Sequence, residues 1–231
     1  MGVPTPVQDG HLLRFDRLDT SGFTIPVYTV GWRILDQPGD VWTQRFVAFK
    51  ADETPAFMGG AYVLLEATKE LMARRNLKPA SVGLAVALSS RATKLNNNHV
   101  LCRTGRWLAQ RLNLTFVGEK FSKQAHRSLH TLSSSGERDG EVSGKYTCQK
   151  IEGVSTVIIL DDFVTRGATL GEMKRALDET SCGISAIGLA LGKHERNAYA
   201  TGFGVNVSNE HIPDKWNQAW INNSKRKPAV A

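Results

Sequence analysis

The sequence predicts an α/β protein built on a mostly parallel sheet with helices on its faces. Three short apolar runs, Ser81–Leu88 (SVGLAVAL), Thr156–Leu160 (TVIIL) and Ile184–Leu191 (ISAIGLAL), have strand length and no polar side. Strands covered on both faces need that pattern. Between them lie segments with helical spacing, in the order strand, helix, strand, strand, helix, strand, as crossover connections require. At 231 residues the chain suffices for one sizeable domain with additions, or two small ones.

Residues 1–50 resist assignment, because Pro4, Pro6, Pro26 and Pro38 interrupt short apolar pieces and Asp36–Asp40 (DQPGD) reads as a turn. Ala61–Asn76 has helical spacing, with Val63, Leu64, Ala67, Leu71 and Met72 on one face and Arg74 and Arg75 near the end where the dipole favours cations. The strand at Ser81–Leu88 leads into a polar loop. Val100–Leu112 reads as a helix and Leu114–Val117 as a strand. A long polar stretch from Glu119 to Gly153 then exceeds ordinary loop length; it suits a lid, or conceals a β-hairpin. Thr169–Glu179 is the next helix. Trp216 and Trp220, four apart, share a helix face; packing is the preferred reading over stacking on a base. Trp32, Trp42 and Trp107 are read as core.

Cys102, Cys148 and Cys182 are widely spaced, without a paired or metal-binding pattern, and are read as buried small residues or inert thiols. No run is long enough to cross a bilayer and no signal peptide is recognisable, so the expected compartment is the cytoplasm. The formal charge of +7 suits polyanionic partners such as nucleotides, diphosphates or nucleic acid, and equally suits solubility.

The chemistry concentrates in Thr156–Leu170 (TVIILDDFVTRGATL). An apolar strand ends in Asp161 and Asp162, a short loop carries Thr165, Arg166, Gly167 and Ala168, and Thr169 opens a helix. Parallel sheets bind ligands beyond the carboxyl ends of their strands. Helix N-termini offer free N–H groups and partial positive charge to phosphate. Gly167 supplies the tight turn, Thr165 and Thr169 add hydroxyl donors, and the two carboxylates can accept from a pair of sugar hydroxyls. The layout suits a ribose 5-phosphate.

This segment resembles the signature of the type I phosphoribosyltransferases, four apolar residues followed by D-D-x-x-T-T-G-x-T; Arg166 stands where the family usually has a second threonine. A wider likeness to the competence-protein-F-like branch covers roughly residues 80–192. There Ala87–Lys94 (ALSSRATK) matches a basic loop that holds diphosphate, implying roles for Ser89, Ser90, Arg91 and Lys94. His130, Leu132, Ser133, Arg138 and Gly144–Tyr146 loosely follow a further loop pattern of that branch. The resemblance implies a hood from residues 1–60, a core over 61–192 and a further extension over 193–231. The donor it implies is 5-phosphoribosyl-1-diphosphate with Mg²⁺, which Asp161 and Asp162 would bind through water, and the acceptor a nucleobase or other nitrogen nucleophile. The resemblance also implies a lid over residues 119–153, from which Lys120, Lys123, Arg127 or Arg138 would reach the diphosphate. A different class of function stays open: a non-catalytic donor- or nucleotide-binding regulator acting through nucleic acid or a protein partner. A homodimer is a further open expectation.

Overall fold

A computed structural model of the chain describes residues 3–18, 25–89, 92–125 and 143–226. Its centre is a seven-stranded sheet. In chain order its strands are β1 (Val7–Asp9), β2 (Leu12–Phe15), β3 (Val27–Ile34), β4 (Val82–Val86), β5 (Thr115–Phe116), β8 (Thr156–Val164) and β9 (Ser185–Glu195); β6 (Phe121–Lys123) and β7 (Tyr146–Cys148) form a separate antiparallel pair. The order across the large sheet is β1-β2-β3-β9-β8-β4-β5, with β3, β9, β8, β4 and β5 mutually parallel and the β1–β2 edge antiparallel.

Six described helices accompany the strands: α1 (Val41–Lys50), α2 (Thr54–Arg74), α3 (Val100–Leu112), α4 (Ala168–Thr180), α5 (Asn197–Gly202) and α6 (Asp214–Ser224). The expected turn at Asp36–Asp40 ends in an N-cap, where the Asp40 carboxylate accepts from Thr43 N at 2.7 Å. Pro55 stands in the first turn of α2, where its missing N–H costs nothing. Asn113 closes α3 in a left-handed conformation, φ 54°.

Two apolar layers bury the sheet. Leu84, Leu160 and Leu189 pack in one cluster with Phe46 and Phe49 of α1, Leu64 of α2, Leu108 of α3 and Trp216 of α6. Val157, Ile159 and Ala190 pack in the other with Met173 and Leu177 of α4 and with Phe121 and Tyr146 of the β6–β7 pair. Trp216 and Trp220 are buried, Trp216 donating its indole N–H to His11 O at 2.9 Å. They are packing residues, as preferred from their spacing.

Several expectations need correction. Residues 1–60 contribute to the large sheet, where β3 lies beside β9 over most of its length, from Val27 opposite Gly188 to Ile34 opposite Glu195. For Glu119–Gly153 the hairpin alternative holds in part, since β6 and β7 pair antiparallel with Lys123 opposite Tyr146; residues 126–142, including Arg127, His130 and Arg138, lie outside the described residues. Trp107 is half-buried, not core, and Cys182 is exposed, whereas Cys102 and Cys148 are buried. No described helix is long and apolar enough to cross a membrane.

Candidate functional site

The chain leaves β4 toward β5 on one side and leaves β8 toward β9 on the other. The crevice of such a sheet opens where those directions diverge, between β4 and β8. Ala87 N still donates to Leu160 O at 2.8 Å. The pairing of β4 with β8 ends at that point, and β8 runs on alongside β9 as far as Val164. Asp161 and Asp162 are therefore the first residues of β8 past the end of β4. They lie inside the strand, which is longer than Thr156–Leu160 because β9 also extends, to Glu195.

Each carboxylate folds onto the next amide: Asp161 Oδ1 accepts from Asp162 N at 2.8 Å, and Asp162 Oδ1 from Phe163 N at 2.7 Å. Asp162 Oδ2 forms an ion pair with Lys50 Nζ at 2.6 Å. Burial, and then the neighbouring Asp162 carboxylate, raise Asp161 well above the usual carboxylate range, with Lys50 acting against them. Phe163 carries the Arg33 guanidinium 4.7 Å and the Lys50 ammonium 5.2 Å from its ring centroid. Arg33 also meets His194 Nδ1 at 3.0 Å.

Lys123, expected on a lid, sits instead in β6 with its side chain buried. Its backbone N donates to Thr93 O at 2.9 Å, tying the hairpin stem to the loop after β4. Burial brings its ammonium down to about 8, and Asp161 pulls the other way. Its Nζ lies 5.5 Å from the Tyr146 ring centroid. The Tyr146 hydroxyl accepts from Leu88 N and donates to Leu88 O, each at 3.3 Å, and burial raises its pKa. Arg175 of α4 donates to Tyr146 O at 2.7 Å, so the stem is clamped between the β4 loop and α4.

Past β8, Gly167 takes φ 76° as the N-cap of α4, the left-handed turn expected of it, with no side-chain cap on the helix. Thr165 is exposed; Arg166, Ala168 and Thr169 are half-buried. Arg166 lies close enough to Lys193 to help burial lower that lysine's pKa. Lys193 is buried, stands opposite Val164, and donates to His194 O at 3.0 Å with Glu195 Oε2 at 3.4 Å. On the other wall, Ala87, Leu88, Ser89, Lys94, His99 and Cys102 line a pocket of about 60 Å³. That space holds a few waters or one phosphate group, well short of a whole nucleotide ligand. Ser89 is exposed there; Ser90 and Arg91 lie outside the described residues.

The donor-binding residues expected along 161–169 thus fall on one continuous strand–loop–helix. Arg33, Lys50 and Lys193 join them from distant segments, and nothing local in the sequence singled these three out. Lys50 stands in the last turn of α1, where the helix dipole favours a cation. Two adjacent carboxylates offer a hard cation such as Mg²⁺ oxygen ligands alone. Among the described residues no group of three or more His, Cys, Asp or Glu gathers as a metal site. No protein-family model matches the chain, and no curated protein matches its sequence.

Proposed function

We propose that the chain binds 5-phosphoribosyl-1-diphosphate with Mg²⁺ at the crevice between β4 and β8 and transfers its ribose 5-phosphate to a nitrogen nucleophile such as a nucleobase. The observation that carries this reading is the acid pair Asp161–Asp162 at the crevice mouth, running through left-handed Gly167 into the uncapped N-terminus of α4. The pair would accept from the two ribose hydroxyls while the amides after Gly167 take the 5-phosphate. Lys50 and Lys123, both electrostatically tied to the acids, would balance charge around the donor, and the loop bearing Ser89 would receive the diphosphate. Mg²⁺, when bound, supplies charge neutralisation at the leaving group. The C1–O bond to diphosphate breaks with its electron pair leaving on oxygen, C1–N forms, and the acceptor nitrogen gives its proton to solvent. Holding a dissociating donor needs positioning and electrostatic stabilisation more than a protein nucleophile.

A second reading, binding without transfer, draws on the Lys50–Asp162 ion pair, which already occupies one acceptor oxygen at 2.6 Å. Diphosphate release from the Mg-bound donor, followed across a panel of nucleobases, separates the two. Acceptor-dependent release that Asp161→Asn lowers at least tenfold supports transfer. Saturable donor binding with no release for any acceptor supports the second reading.

A further inference from the structure

Away from the crevice, arginines alternate with aromatic rings along the seam between α2 and α3. At the end nearer the β4 loop, the Arg103 guanidinium lies 4.3 Å from the Phe57 ring centroid. One turn on, Trp107 packs edge-on against Tyr62 at 5.0 Å. Arg111 lies 5.6 Å from the Trp107 ring centroid. From just beyond α6, Arg226 covers Tyr62 at 5.1 Å and donates to its hydroxyl at 3.0 Å.

Arginine stems over rings stabilise by packing alone. The charge pattern goes further. Helix α3 (VLCRTGRWLAQRL) holds three arginines and no acid. Arg103 and Arg106 are paired, with Asp52 at 2.7 Å and Glu119 at 2.5 Å. Arg111 and Arg226 are exposed, and among the described residues neither has a carboxylate partner. Uncompensated guanidinium groups therefore flank the partly buried Trp107–Tyr62 pair on a chain of net charge +7. Aromatic faces stack bases of any sequence, and flanking cations take the backbone.

We propose that the α2–α3 seam binds a single-stranded nucleic acid, with Arg111 and Arg226 swinging off the Trp107 and Tyr62 rings to pair with phosphates as bases stack in their place. The proposal is independent of the donor site. A duplex offers phosphates but no free base faces, so single strands are the fitting partner.

Fluorescence anisotropy with labelled single-stranded RNA, single-stranded DNA and a duplex of equal length tests it on the full chain. The expected result is salt-sensitive binding of at least one single strand, tighter than the duplex. The doubly charge-reversed R111E/R226E should bind at least tenfold more weakly, and its log–log salt slope should shrink by about 1.4 for two lost phosphate contacts. The control R17E/K150E, with the same change in net charge at exposed positions just past β2 and β7, should bind as wild type. Trp32, Trp42, Trp216 and Trp220 are all buried, so stacking should quench Trp107, and Trp107→Phe should abolish the quench. No binding, equal losses in both double variants, tighter duplex binding, or an unchanged quench in Trp107→Phe would each overturn the proposal.

Discussion

Inside β8, just past the end of β4, Asp161 is raised by burial and by the neighbouring Asp162 carboxylate. Because its folded pKa is raised, its stabilising contribution is full below the unfolded value and is lost as pH climbs through the folded one. Asp161→Asn removes that penalty. Denaturant unfolding at pH 7 should show the variant as stable as wild type or more stable by about 1 kcal/mol, as is usual when a functional site holds an unfavourable charge. A loss above about 1 kcal/mol would contradict the assignment of burial and repulsion. Lys123 titrates in the opposite sense. Its folded value of about 8 lies below the ordinary lysine value of 10.5, so the unfolded chain binds the proton more tightly between those limits and stability rises with pH across that window. In Lys123→Met this rise should vanish from the pH dependence of unfolding; an unaltered slope would mean that the ammonium is solvated.

At the scale of elements, two glycines hold the site and its backing. Gly167 has φ 76°. Gly167→Ala should cost about 1–2 kcal/mol through left-handed strain and weaken donor binding together with stability. On α2, a Cβ at Gly59 would stand 2.6 Å from Trp220 Cε2. Gly59→Ala should therefore destabilise by about 1–3 kcal/mol through overpacking, less the roughly 1 kcal/mol that alanine contributes to a helix. A stabilised variant would show that α6 is not seated on α2. The same elements show what could be read from sequence. Val100–Leu112 was legible to the residue because its apolar positions keep one helical face, and β8 with α4 because an unbroken apolar run meets acids and a glycine. The far ends of β8 and β9 were not, since Lys193, His194 and Glu195 look like loop residues until the neighbouring strand claims their backbone. Strands β1–β3 hid among prolines, and β3 belongs to the sheet through Gly188 and its neighbours, far along the chain. Lys50 and Arg33 reach the acid pair by tertiary folding alone, which no local pattern encodes.

For the whole molecule, the sheet order decides where a ligand can sit. A mostly parallel sheet with β4 and β8 adjacent and their crossovers diverging has a switch point between them. The acid pair, left-handed Gly167 and the β4 loop all meet there. The separate helical seam with its aromatic and arginine pairs lies on the layer that includes α2 and α3, so ligand at the crevice and nucleic acid at the seam need not compete. The central claim is donor binding at the crevice, and calorimetric titration with 5-phosphoribosyl-1-diphosphate, with and without Mg²⁺, addresses it most directly. Wild type should show saturable, Mg-dependent binding, and folded Asp162→Asn should bind at least tenfold more weakly, having lost both an acceptor and the partner of Lys50. No binding to the well-folded wild type, or equal affinity in Asp162→Asn, would contradict the account.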